Sequence, residues 1–106
     1  RNPRTAERLL QVAIQSMIDL STHIVARSGR PRPATNRALF DSLAQVGALD
    51  PASVESCQQM AGLRNLLVHE YVQIAPTQIR RIIENDLGDL ERFVSGVSAW
   101  LDRQPA

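Results

Sequence analysis

At 106 residues with 43% hydrophobic and 22% charged, the chain has the size and make-up of one globular domain, with no room for a second core. A single cysteine, Cys57, excludes an internal disulfide framework and a cysteine-rich zinc site; two histidines, His23 and His69, leave little for a metal centre. The 12 cations, all arginine, nearly balance 11 anions, which speaks against a strongly basic nucleic-acid scaffold and removes Schiff-base and P-loop lysine chemistry.

Few aromatics and β-branched residues at helical spacing predict an all-α chain. Asn2-Pro3 reads as an N-cap followed by proline at the first helical position. Leu10, Ala13, Ile14, Met17, Ile18, Ser21, Ile24 and Val25 then follow the i, i+3, i+4, i+7 rule, and Gly29 closes a first helix over about residues 3 to 28. Two prolines between Arg30 and Thr35 forbid its continuation. A short helix follows near Asn36 to Gln45, with Leu39, Phe40 and Leu43 on one face and Gly47 as its stop. Asp50-Pro51 opens a third helix that runs to about Glu70. Pro76 or Thr77 opens the last one. Its apolar stripe of Ile79, Ile82, Ile83, Leu87, Leu90, Phe93, Val94, Val97 and Leu101 is expected to serve the core, with a dimer contact as the other use.

Short loops between amphipathic helices imply antiparallel neighbours. The expected architecture is a single domain over residues 1–106, an antiparallel up-and-down bundle of about four helices. No apolar run reaches the roughly 18 residues of a membrane span. Residues 1 to 25 do not read as a secretory leader.

The chemically informative stretch is Leu63-Arg64-Asn65-Leu66-Leu67-Val68-His69-Glu70-Tyr71. With Arg64 at 0° and about 100° per residue, Asn65 falls near 100° and His69 near 140°, while Leu66, Leu63, Leu67 and Met60 fall between about 200° and 320°. This predicts a Leu/Met arc facing the core, with Arg64, Asn65 and His69 on the opposite arc. Asn65 and His69 form an i, i+4 pair. Arginine binds phosphate oxygens through a planar fork, and histidine titrates near neutral pH and can take or give a proton. A ribonuclease needs both functions: a base for the ribose 2′-hydroxyl and a cation for charge on the phosphoryl oxygens. An amide such as Asn65 can hold the histidine tautomer or contact phosphate. No metal or other cofactor is required by this set.

An arginine with a histidine five residues on is a weak signal in a chain so rich in arginine. Asparagine directly after the arginine and tyrosine two after the histidine make it sharper. With these residues the chain resembles the HepT-like branch of HEPN-domain ribonuclease toxins, whose signature is R-x4-H-x-Y. The likeness extends to Ala13–Leu20 with His23-Ile24, to Pro33–Leu49, and to Met60–Asn65, and covers about residues 6 to 95. The resemblance implies a helical bundle, a homodimer with the motif lining a cleft at its interface, and metal-independent cleavage of RNA. It also implies a cognate nucleotidyltransferase (MntA-like) antitoxin that transfers AMP to the motif tyrosine, and a cytoplasmic setting. Carried over, Arg64 stabilises the phosphate, His69 is the acid/base, Asn65 orients or binds phosphate, and Tyr71 is the AMP acceptor. Members usually have one more helix ahead of this segment. The start at Arg1 therefore predicts missing N-terminal residues.

Plainer readings stand beside these. Arg64 can be a surface arginine near a helix C-terminus, His69 a cap for the last carbonyls, and Tyr71 a half-buried aromatic. Arg27, Arg30, Arg32 and Arg37 form the one basic run; they are a solvated loop or a guide for an RNA backbone. Cys57 is expected to pack. The alternative to a ribonuclease is a non-catalytic helical partner or nucleotide-binding subunit of a nucleotidyltransferase.

Overall fold

The computed structural model describes residues 3–69 and 76–105, giving the backbone alone for 3–7, 65–69, 76, 78, 79 and 82. Four helices follow in order: α1 (Pro3–Arg27), α2 (Asn36–Gln45), α3 (Val54–His69) and α4 (Pro76–Asp102), with a 3-10 turn at Pro51–Ser53 leading into α3. The sequence places each of them to within a few residues. The expected cap at Asn2 lies outside the described residues.

The boundaries have local causes. Gly29 and Gly47 adopt φ 79° and 85°, a conformation that costs other residues a steric clash. They let the amide of Arg30 reach the Val25 carbonyl (3.4 Å) and that of Ala48 reach the Leu43 carbonyl (3.1 Å), closing α1 and α2 in the same left-handed cap. The Thr35 hydroxyl accepts from the Ala38 amide at 3.0 Å, so α2 has a side-chain N-cap. Asp50 accepts from the Ala52 amide at 3.0 Å. That short reach, with Pro51 next, winds the entry to α3 as a tight turn before the α-helix begins.

α1 lies at the centre and touches α2, α3 and α4. Of its eight predicted core residues, all but the half-buried Ala13 are buried. Ser21 is among them, and its hydroxyl donates to the Met17 carbonyl at 2.7 Å, so a polar group enters the core satisfied. By length and composition Arg8–Arg27 would also pass for a membrane span, although no uninterrupted apolar run does. Its apolar side is instead the inner wall of the bundle: Ile14, Met17, Ile24 and Val25 are each at most 2% exposed.

α2 lies beside the first half of α3, and α4 returns antiparallel to α3. The Arg103 guanidinium donates to the Gly47 carbonyl at 2.8 Å, and Gly96 lies directly on the Ala48 carbonyl. The C-terminal end of α4 thus sits where α3 begins. The stripe predicted on α4 does not all serve the core. Phe93 and Val97, with Trp100, are buried, and Ile83 and Leu90 are partly so. Leu87, Val94 and Leu101 are 51%, 58% and 55% exposed. α4 meets α1, α3 and the 3-10 turn, so its outer side has no helix over it among the described residues.

Candidate functional site

Arg64, Asn65 and His69 all lie in the last two turns of α3. Tyr71 lies outside the described residues. The burial pattern along α3 corrects one expectation. With Arg64 again at 0°, Cys57, Met60 and Ala61 fall at about 20°, 320° and 60°, and they are 0%, 2% and 3% exposed. Glu55, Gln59 and Gly62, at about 160° to 220°, are exposed. The inward arc is therefore centred on the line of Arg64 itself, and Arg64 is half-buried. It does not stand opposite the core.

The physical reason is side-chain size. Cys57 and Ala61 are short, and a line of short side chains admits the neighbouring helices more closely than a line of leucines does. The helix turns that line inward, and Leu63, one face over, is only partly buried against the core. Arg64 continues the inward line past Ala61. Among the described residues the one ion pair joins Arg92 to Asp89 on α4, so no described carboxylate neutralises Arg64.

Asn65 and His69, at about 100° and 140°, belong to a different side of α3. It is the side that faces α2. Gln58, at about 120° on the same wheel, donates from Nε2 to the Arg37 carbonyl at 2.9 Å and, more weakly, to Asp41 at 3.4 Å. Gln58 is seven residues before Asn65 and eleven before His69, so all three follow one helix line. The sequence carried this signal in those spacings. It becomes meaningful once α2 is known to dock on that line.

The four basic-run arginines are all exposed, but they are not gathered at one point. Arg30 donates to Gln45 at 2.7 Å, at the C-terminal end of α2. Arg37 is at the N-terminal end, held against α3 by Gln58. An open groove of about 830 Å³ runs between α2 and the start of α3 and is lined by Asp41 and Glu55 as well as Arg37 and Gln58. His23 is exposed, and Asp19, also exposed, accepts from Gln15 at 2.8 Å. Cys57 packs as expected. Burial, and then the Asp89 carboxylate, push its thiol up to about 11, so it is inert as a nucleophile near neutral pH.

Comparison with known proteins bears on the family of the chain as a whole. The model of the family described as "Ribonuclease HepT-like" matches residues 1–97. A tRNA nuclease HepT of Aphanizomenon flos-aquae is 34% identical over 95 residues, covering 90% of this chain and 65% of that protein. An mRNA nuclease HepT of Shewanella oneidensis is 28% identical over 90 residues, covering 85% of this chain and 68% of that protein. The chain thus spans about two thirds of the length of these curated relatives. No solved structure matches it. With the family model aligned to 97 of the 106 residues and two nuclease relatives across most of its length, this four-helix chain belongs to the HepT-like ribonuclease family.

Proposed function

We propose that this domain is the catalytic part of a metal-independent endoribonuclease toxin from a toxin–antitoxin pair acting in the cytoplasm. The observation that carries the reading is the place of Arg64. A half-buried guanidinium, matched to no described carboxylate, stands one residue from Asn65 and five from His69 in a member of a ribonuclease family. Partial desolvation strengthens its hold on a phosphate anion.

In the proposed reaction His69 takes the proton of the ribose 2′-hydroxyl. The O2′–P bond forms and the P–O5′ bond breaks, leaving a 2′,3′-cyclic phosphate. The leaving oxygen collects its proton from the imidazolium or from water. Arg64 stabilises the charge that grows on the non-bridging oxygens, and Asn65 orients the histidine or binds the same phosphate. Arg64 and His69 are about 140° apart around α3, so one phosphodiester meets both most simply in a cleft shared by two protomers. Leu87, Val94 and Leu101, exposed at seven-residue intervals on α4, supply apolar surface for such a homodimer.

Regulation follows from the same motif. A cognate nucleotidyltransferase antitoxin transfers AMP to Tyr71: the phenolic oxygen attacks the α-phosphorus of ATP, pyrophosphate leaves, and the phenolic proton is released. The new phosphodiester carries a negative charge two residues past His69, where it competes with RNA for Arg64.

The test incubates purified protein and its His69→Ala variant with total RNA in EDTA. The wild type should cleave, and the variant should be slower by about a hundredfold or more. The wild-type rate should change through a titration near neutral pH; a flat profile from about pH 5 to 8 removes His69 from the acid/base role. A wild type that is inactive and carries no added AMP by intact mass would shift the reading to a non-catalytic partner subunit of the nucleotidyltransferase.

A further inference from the structure

We propose that a single RNA strand reaches the motif along one defined path: from Arg37 at the N-terminal end of α2, over Gly62, to Asn65 and His69. The path rests on the ribonuclease reading and adds to it which of the basic-run arginines the strand uses.

Three observations carry it. First, Gln58 fixes the start of α2 against α3 through the Arg37 carbonyl, at 2.9 Å. Asn65 is seven residues further along α3, about 10 Å at 1.5 Å per residue, and His69 eleven, about 16 Å. Successive phosphates of a single strand are separated by about 6 to 7 Å when extended, so two or three of them span the interval. Second, the interval is open. Gly62 lies between Gln58 and Asn65 on nearly the same helix line, it is exposed, and a Cβ built on it meets no atom within 4 Å. α2 is only ten residues long and its first turn meets α3 at Gln58, so among the described residues Gly62 lies on an open stretch of α3. Third, charge selects the direction. Arg37 is exposed at the motif-side end of α2, with Arg32 in the segment three residues ahead of the Thr35 cap. Along the groove the other way, Asp41 and Glu55 line the walls and repel a polyanion. Arg30, tied to Gln45 beyond those carboxylates, is off the path.

A strand laid this way places a phosphate on Arg37 and another beside the Asn65–His69 line, with the glycine giving the backbone room to pass close to the helix. The basic run thus divides in two. Arg37 contacts the strand, and Arg30 holds the far end of α2.

The experiment measures binding of a short single-stranded RNA, made uncleavable by 2′-methoxy groups, to the full-length protein by fluorescence anisotropy across a salt series. Arg37→Glu and, independently, Gly62→Glu should each weaken binding about tenfold. Arg37→Gln should flatten the slope of log affinity against log salt by about 0.7, one phosphate contact on a single strand. Arg30→Glu should stay within about twofold of the wild type. Melting curves confirm that each variant is folded. Equal losses for Arg37→Glu and Arg30→Glu, or no effect of Gly62→Glu, would overturn the path. If wild type cleaves RNA and these variants bind normally, the path alone fails. If wild type neither cleaves nor binds, the ribonuclease reading fails with it.

Discussion

α1 and α4 are of similar length, 25 and 27 residues, and each carries an apolar stripe. On α1 the predicted stripe is buried almost from end to end. On α4 it divides, with Phe93, Val97 and Trp100 inside and Leu87, Val94 and Leu101 outside. The difference comes from neighbours. α1 is touched by all three other helices, whereas α4 leans on α1, α3 and the 3-10 turn. Periodicity therefore reports that a helix has an apolar side, but not how wide a neighbour covers it. The other half of the α4 stripe is apolar surface that no described helix covers.

The strongest test of this contrast is a pair of core and surface truncations. Ile14 is fully buried, and Ile14→Ala should cost about 2 to 5 kcal/mol, from lost transfer energy and the cavity left behind. Val94→Ser, at a site 58% exposed, should stay within about 0.5 kcal/mol in the isolated protomer. Denaturant melts at several protein concentrations distinguish the two. A large, concentration-dependent cost at Val94 would show that the outer side of α4 is covered in solution, and would place the homodimer seam there.

A smaller effect tests how closely α4 seats at its C-terminal end. A Cβ on Gly96 would lie 2.9 Å from the Ala48 carbonyl oxygen, a backbone atom that cannot swing aside. Gly96→Ala gains helix propensity yet should still lose about 1 to 3 kcal/mol, because α4 must lift from the Gly47–Leu49 segment. Equal or greater stability in the melt would mean that α4 shifts freely there. Gly62→Ala is the control, since open space surrounds it and only the propensity gain remains.

Much of this fold was legible because its signals are local. Asp50-Pro51, Gly29 and Gly47 mark boundaries by their own backbone chemistry, and the α1 stripe obeys one period. The orientation of α3 was not legible. The predicted Leu/Met arc holds at Met60, which is buried, but the inward side extends on to Cys57 and Ala61, so that Arg64 is half-buried and not opposite the core. That choice depends on how closely other helices approach, a tertiary quantity that no wheel contains. The candidate site rests on residue type and spacing, through Arg64, Asn65 and His69, which the sequence itself displays. The docking of α2 on the Gln58 line was not legible, because it depends on a contact 21 residues apart in the chain.

The contact of α4 with the core can also be followed by titration, because Cys57 on α3 senses Asp89 on α4. Burial is the larger cause of the raised Cys57 thiol and the Asp89 carboxylate the second; together they take it from its ordinary 9.0 to about 11. Between those values the unfolded chain gives up the proton while the folded one keeps it. Stability is therefore insensitive to this group below about pH 9 and falls as the pH rises from about 9 towards 11. Cys57→Ala should remove that component of the alkaline slope in melts at stepped pH. Asp89→Asn should shift the thiol's titration down by the smaller, electrostatic share and leave the share due to burial. A shift to the ordinary thiol value in Asp89→Asn would reverse the order of the two causes. An unchanged titration would mean that α4 does not hold its carboxylate near Cys57 in solution, and the antiparallel seating of α4 on α3 would need revision at that turn.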